Sequence, residues 1–256
     1  MSDVTVVIAN YNYGRYLGEA VASALHERAL VVVVDDGSTE PVPDLPSEVE
    51  LIRQENQGVA RARNAGLARV QTPYVLVLDA DDRLVPGALS ALRGPLDADP
   101  ALGYAYGRMR FFGDWAGELK FPPFDPYALL HRHTIGLSAL ARREVFEDTG
   151  GFDPAFDQFE DWELWVNALA HGWQGAQVDA VTVEYRRHAG AKREVDRRAY
   201  RRMYRQLRAK HAGLYADPPP SRMGPAKRLL YRLFWGVRPI PVALEGALHR
   251  RRWKSA

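Results

Sequence analysis

Three short apolar runs constrain this chain more than any other feature. Val4 to Ile8, Val31 to Val34 and Tyr74 to Leu78 are continuous rather than alternating, as in strands covered on both faces. Helical patterns separate them. Tyr16, Leu17, Ala20, Val21 and Leu25 recur at helical spacing, Glu50 to Arg53 adds another strand, and Gly58 to Val70 reads as a helix. Strands alternating with helices are the sequence form of βαβ units, so the expectation is an α/β protein with a mainly parallel sheet. Beyond Leu102 the pattern loosens into aromatic-rich strands and loops. Glu160 to Ala170 regains helical spacing, and Ala176 to Tyr185 reads as a last strand.

Two acidic clusters, Asp35-Asp36 and Asp79 to Asp82, fall just after strands. Ligands of open α/β sheets bind outside the carboxyl ends of strands, which makes both clusters candidates. Each also has a plain local reading. Asp35-Asp36-Gly37-Ser38 suits a tight turn, and Asp79 to Asp82 suits a polar turn capping a helix that starts near Pro86.

Composition excludes several classes. The chain has 256 residues and no cysteine, so disulfides, thiolate metal sites and cysteine nucleophiles are out. An apolar fraction of 46% and a charged fraction of 26% suit a folded globular body. Arg232 and Arg238 interrupt the best apolar stretch, leaving no run of about 20 residues to span a bilayer. Neither a basic leader nor a cleavage site follows Met1, so a cytoplasmic location is expected. The net charge of +2 conceals an asymmetry. Residues 1–190 hold 16 basic and 28 acidic residues, whereas 191–256 hold 18 and 4. The expected organisation is therefore a catalytic domain over 1–190 and a basic helical extension over 191–256.

VTVVIANYN at 4–12, VVVDDGST at 32–39, NQGVARARNAGL at 56–67, VLVLDADD at 75–82, GGFDPAFDQFEDWELW at 150–165 and YRRH at 185–188 resemble the successive motifs of family 2 glycosyltransferases. Their order and approximate spacing are the family's, over about residues 4 to 190. The resemblance implies the GT-A fold, a Rossmann-like nucleotide-binding α/β architecture. It also implies transfer of a sugar from a nucleotide-diphosphate sugar, UDP-linked by preference, to a hydroxyl acceptor with inversion. A diphosphate leaves well only when its growing charge is neutralised, which a hard divalent cation on oxygen ligands can do. By resemblance, Asp79 with Ala80 meets the nucleotide sugar, and Asp81, aided by His188, holds Mn²⁺ or Mg²⁺.

Other roles follow from the same resemblance. Asp35 or Asp36 accepts a hydrogen bond from a pyrimidine base, with the loop Ala9, Asn10, Tyr11 and Asn12 packed against it. Asn56, Gly58, Arg63 and Asn64 fall on the donor-binding pattern, with Arg63 lining the pocket. The acceptor hydroxyl must lose its proton as it attacks, and the Glu160-Asp161 pair matches the acidic pair from which the family draws its base, usually the aspartate. His131 and His133 lack an evident third ligand and are not assigned.

Leu229, Leu230, Leu233, Phe234 and Val237 fall on one side of a helix bordered by Lys227, Arg228 and Arg232, with Arg250-Arg251-Arg252-Trp253 beyond. This suits a helix lying in an anionic membrane interface, giving a peripheral location on the inner face. The same segment also suits packing on its own domain or an oligomer contact. No nucleic-acid module is evident. Processive polysaccharide synthases carry QxxRW, whereas the only RW in this chain is Arg252-Trp253 with His249 in the glutamine position, so addition of one sugar at a time is expected. Two other classes remain open at this point. One is a sugar-phosphate nucleotidyltransferase, which usually opens on a glycine-rich loop that this chain lacks. The other is a non-catalytic, membrane-associated nucleotide-sugar-binding protein.

Overall fold

The computed structural model describes residues 2–156, 159–188 and 197–235. Its first part runs β1 (Val4–Asn10), α1 (Gly14–His26), β2 (Leu30–Asp35), β3 (Val49–Arg53), α2 (Val59–Leu67) and β4 (Tyr74–Asp79). A short β5 (Arg83–Leu84) follows, then α3 (Ala88–Ala98), β6 (Leu102–Gly113), β7 (Gly117–Leu119), α4 (Pro126–His131), β8 (Leu140–Arg142) and α5 (Arg143–Thr149). Next come α6 (Glu160–Ala170), β9 (Gln174–Arg187), α7 (Arg197–Lys210), α8 (Ala212–Ala216), α9 (Pro225–Leu230) and a π-helical turn, Tyr231–Trp235.

The strands form one sheet in the order β3-β2-β1-β4-β8-β6-β9-β5, with β7 beside β6. β3, β2, β1 and β4 are parallel. Their register brings the carboxyl ends to within one residue of the same level: Asn10 opposes Asp35, and Ala9 opposes Asp79. β8 joins antiparallel to β4, and β6 pairs parallel with β9. β5 pairs antiparallel with the far part of β9 through Arg83 and Glu184. The acidic loop therefore leaves β4 and lands on β9, several strands away.

The continuous apolar runs are buried on both faces. Val6 and Ile8 point to a core shared with Leu17, Val21 and Leu92 of α1 and α3, while Val32 and Val34 meet Ala62 of α2 on the other face. Gly66 lets α2 lie this close. A Cβ there would run into Cγ1 of Val7, so a larger residue would force that side chain or the helix to shift.

Contacts divide the chain into two compact units, residues 1–124 with 134–192, and 125–133 with 193–256. This differs from the boundary expected between 190 and 191, because 125–133 groups with the basic extension. Its side chains account for the difference. Nδ1 of His131 lies 2.8 Å from the Tyr204 hydroxyl, the Tyr215 hydroxyl donates to the Leu130 carbonyl, and Ser221 Oγ donates to Asp125 at 2.8 Å. Tyr127, Leu130 and His131 of α4 and Met203, Tyr204 and Leu207 of α7 are all buried. Among the described residues, no helix is long and apolar enough to cross a membrane.

Candidate active site

The first wall of the site is the junction of β1 and β2. Ala9 and Asn10, expected in a loop, belong to β1, because parallel neighbours on both sides extend the strand to residue 10. Asn10 is 1% exposed, and its Nδ2 donates to Asp35 Oδ1 at 3.0 Å and to Ser38 Oγ at 3.1 Å. Asn12, with φ of 59°, accepts on Oδ1 from the backbone of Thr39 at 2.8 Å and Glu40 at 3.1 Å. Its amide donates to Ser38 Oγ at 2.9 Å. The two strand ends are thus laced together before any ligand arrives. Tyr11 stands out at 45% exposure.

The structure separates Asp35 from Asp36. Asp36 accepts on Oδ1 from Gln54 Nε2 at 2.7 Å and Gln57 N at 2.9 Å, and on Oδ2 from Gly58 N at 2.9 Å. Its carboxylate is spent on holding the 54–58 loop at the start of α2. Asp35 uses only Oδ1, for Asn10 and Ser38, and among the described residues nothing donates to its Oδ2. Asn56 is exposed on the loop that Asp36 anchors.

Two residues expected at the donor site, Arg63 and Asn64, are tied into the protein. Arg63 is 4% exposed; NH1 donates to Glu160 Oε1 and NH2 to Asp79 Oδ1, both at 2.8 Å, and the Phe152 ring centroid lies 5.2 Å from its guanidinium carbon. Burial favours its neutral form, but Asp79 and Glu160 overcome that and raise its pKa. Asn64 pairs with the Phe152 backbone, donating to its carbonyl and accepting from its amide, each at 2.8 Å. The reason is local. Gly151 has φ of 79°, and a Cβ on it would lie 2.5 Å from Asn64 Oδ1, so the 150–152 turn is shaped to receive this side chain.

Glu160 and Asp161 part company in the same way. Glu160 is 5% exposed and bound to Arg63, whereas Asp161 is partly exposed in the first turn of α6. Oδ1 of Asp161 accepts the amide of Trp162 at 2.8 Å. Trp162 and Trp165 are each 1% exposed and anchor the helix in the core.

The second wall joins β4 to the end of β9. His188 Nε2 lies 3.0 Å from Asp81 Oδ2, although the two are 107 positions apart. Asp82, left without a role by its sequence position, is 3% exposed and accepts the Arg186 amide at 2.9 Å. Ala80, which precedes this pair of aspartates, is buried. Burial, reinforced by Asp79, raises the Asp81 pKa, and burial with both neighbouring aspartates raises that of Asp82 well above the usual carboxylate range. Burial and then Asp81 and Asp79 also raise Tyr13. Carboxylates crowded this way favour a cation beside them.

Sequence reasoning missed Tyr13, Tyr16 and Arg186. The His188 ring lies 5.7 Å from Tyr13 and 5.0 Å from Tyr16, measured between centroids. Tyr16 sits at a helical apolar spacing and reads as core; nothing in the local sequence links it to residue 188.

Among the described residues, no group of three His, Asp or Glu side chains is placed to enclose a metal. The donor set present is Asp81 and His188. A small divalent ion usually takes only one or two protein carboxylates and completes its shell with phosphate oxygens and water, so this oxygen and nitrogen pair beside crowded carboxylates fits such an ion.

Comparison with known proteins bears on the fold and the family. The sequence model of Glycosyl transferase family 2 matches residues 5–150. The chain is 30% identical over 244 residues to the succinoglycan biosynthesis protein ExoU of Rhizobium meliloti, covering 83% of this chain and 70% of that one. It is 27% identical over 205 residues to the Escherichia coli UDP-Glc:alpha-D-GlcNAc-diphosphoundecaprenol beta-1,3-glucosyltransferase WfaP, covering 75% and 80%. The crystal structure of S. aureus TarS residues 1–349 in complex with UDP-GlcNAc shares the fold, with a TM-score of 0.67 at 17% identity, covering 89% of this chain and 70% of that one. With that fold and that family match, the chain is a glycosyltransferase with the GT-A fold and belongs to family 2.

Proposed function

We propose that this glycosyltransferase moves a sugar from a UDP-sugar to a hydroxyl acceptor with inversion, during synthesis of a cell-envelope polysaccharide or glycolipid. The observation that carries the reading is that Asn10, Asp35 and Asp79 end adjacent parallel strands within one residue of the same level, with Asp81 and His188 paired after them. Relatives point the same way. WfaP is named for a UDP-glucose donor and a diphosphoundecaprenol acceptor, and TarS is seen with UDP-GlcNAc.

In this reading, the free Oδ2 of Asp35 accepts the N3–H of the uracil, and Tyr11 lies alongside the base. Asp79, already oriented by Arg63, meets the ribose or sugar hydroxyls. Asp81 and His188 would hold Mn²⁺ or Mg²⁺. When bound, that ion neutralises charge on the departing diphosphate. Asp161 takes the proton of the acceptor hydroxyl as its oxygen attacks the anomeric carbon from the face opposite the diphosphate. Glu160, committed to Arg63, positions the first turn of α6 and takes no proton.

Leu229, Leu230 and Leu233 are 54%, 52% and 53% exposed beside exposed Lys227 and Arg232. Apolar side chains bordered by cations suit the interface of an anionic bilayer, where a lipid-linked acceptor would be presented. Phe234 is part of the π turn, and its side chain lies outside what is described. Val237 and Arg250 to Trp253 lie outside the described residues.

The test is a panel of UDP-sugars and other nucleotide sugars, with and without Mn²⁺, read as thermal stabilisation and as transfer to polyprenyl-diphosphate sugars. Stabilisation by UDP-sugars that EDTA removes supports the reading. Release of pyrophosphate from a nucleoside triphosphate and a sugar phosphate would replace it with nucleotidyl transfer.

A further inference from the structure

We infer that Arg186 is a positioning residue that holds His188 against Asp81. Arg186 has partners on its backbone, its Nε and its guanidinium. Its amide donates to Asp82 Oδ1 and its Nε to the Asp81 carbonyl, both at 2.9 Å. NH2 forms an ion pair with Glu19 of α1 at 2.8 Å. Two rings lie against its guanidinium, with the centroids of Tyr16 and Phe112 at 4.5 Å and 4.3 Å from the guanidinium carbon.

These partners surround the Asp81–His188 pair. The Nε bond fixes the main chain of Asp81 itself, and the amide bond fixes its neighbour. Tyr16, whose ring Arg186 lies against, also packs against His188. One guanidinium therefore sets both members of the pair, the carboxylate through its backbone and the imidazole through the ring beside it. Planarity is what permits this, since a guanidinium offers two stacking faces and a fixed fork of donors along its edge. Lysine retains the charge but has neither. Groups behind a ligating histidine commonly decide whether its ring is presented in a usable orientation.

The inference rests on reading Asp81 and His188 as the metal pair, and the experiment separates the two. Ring-proton resonances of His188, assigned by their loss in His188→Gln, are recorded in the full chain without metal, with those of His131 as an internal reference. In the wild type the neighbouring Tyr13 and Tyr16 rings displace the His188 signals by their ring currents. In folded Arg186→Lys and Arg186→Gln these signals are expected to move toward the positions of a histidine free of aromatic neighbours, while those of His131 stay in place. Unchanged His188 signals in both variants overturn the inference. Should neither variant fold, Glu19→Gln decides, because it weakens the Arg186 ion pair and leaves Arg186 itself in place, with Arg83→Gln as the control for the second ion pair that Glu19 makes, to Arg83 at 2.9 Å: a shift in the same direction in Glu19→Gln and not in Arg83→Gln supports the role, and any other result overturns it. Mn²⁺ with UDP is then added to the wild type. Absence of broadening at His188 rejects the metal pair and leaves the metal-free result for Arg186 standing.

Discussion

Glu160 and Arg63 form a buried ion pair with Oε1 and NH1 2.8 Å apart, 97 positions apart in sequence. Asp79 bonds to the other guanidinium nitrogen, so one arginine links the end of β4 to the first turn of α6. Removing one partner strands a buried charge, which typically costs about 3–5 kcal/mol. Arg63→Ala and Glu160→Ala are each expected to lose stability of that order in denaturant titrations, and Glu160→Gln less. A Glu160→Ala protein as stable as wild type would leave Glu160 without this structural role.

Asp161 carries the chemistry in the proposed mechanism. Loss of a general base commonly lowers rates by about 10²–10⁴-fold. Asp161→Asn is expected to fall in that range in a transfer assay while UDP binding, measured by calorimetry, stays at the wild-type level. Near-normal transfer by this variant would move the base to another residue.

The two aspartates after β2 are predicted to behave differently. Asp35→Asn leaves the strand packing in place but offers an amide where a carboxylate oxygen is wanted, so UDP affinity should drop with little change in unfolding. Asp36→Ala removes the acceptor of three loop donors and should lower stability as well, by about 1–3 kcal/mol. Parallel calorimetry and thermal melts on the two variants distinguish these outcomes.

His131 predicts an acid sensitivity in the second unit. Burial, followed by the charges of Arg208 and Arg232, lowers its pKa to about 4 from an ordinary 6.5. Between those values the unfolded chain binds a proton that the folded chain refuses, so stability is complete above 6.5 and is lost as pH falls toward 4. The loss is expected to reach up to about 3 kcal/mol. Melting curves across this range should be steeper in pH for wild type than for His131→Gln; identical slopes would assign the sensitivity elsewhere.

The exposed leucines make the membrane reading testable without truncating the chain. Full-length protein is expected to sediment with anionic vesicles, and Leu229→Ser with Leu233→Ser should weaken that sedimentation more than added salt does. Equal binding by the variant would leave these leucines without a membrane role.

Much of this architecture is legible in sequence because it depends on local pattern. The runs at Val4, Val31 and Tyr74 become the inner parallel strands since continuous apolar segments are stable only when covered on both faces. Chain order then brings Asp35 and Asp79 to the carboxyl edge. The helices around Leu17 and Trp162 follow from apolar spacing in the same way.

Which side chains remain available is another matter, and only the tertiary structure decided it. Asp35 and Asp36 are adjacent and chemically alike, yet one is consumed by Gln54, Gln57 and Gly58 while the other keeps an oxygen. Glu160 and Asp161 divide likewise because Arg63 lies behind only the first. The pairing of Asp81 with His188 requires the end of β9 to reach the acidic loop, where β5 pairs with it. Hydrogen-bonding capacity is local to each residue, but its expenditure depends on partners 18 to 107 positions away, brought together only when the sheet forms.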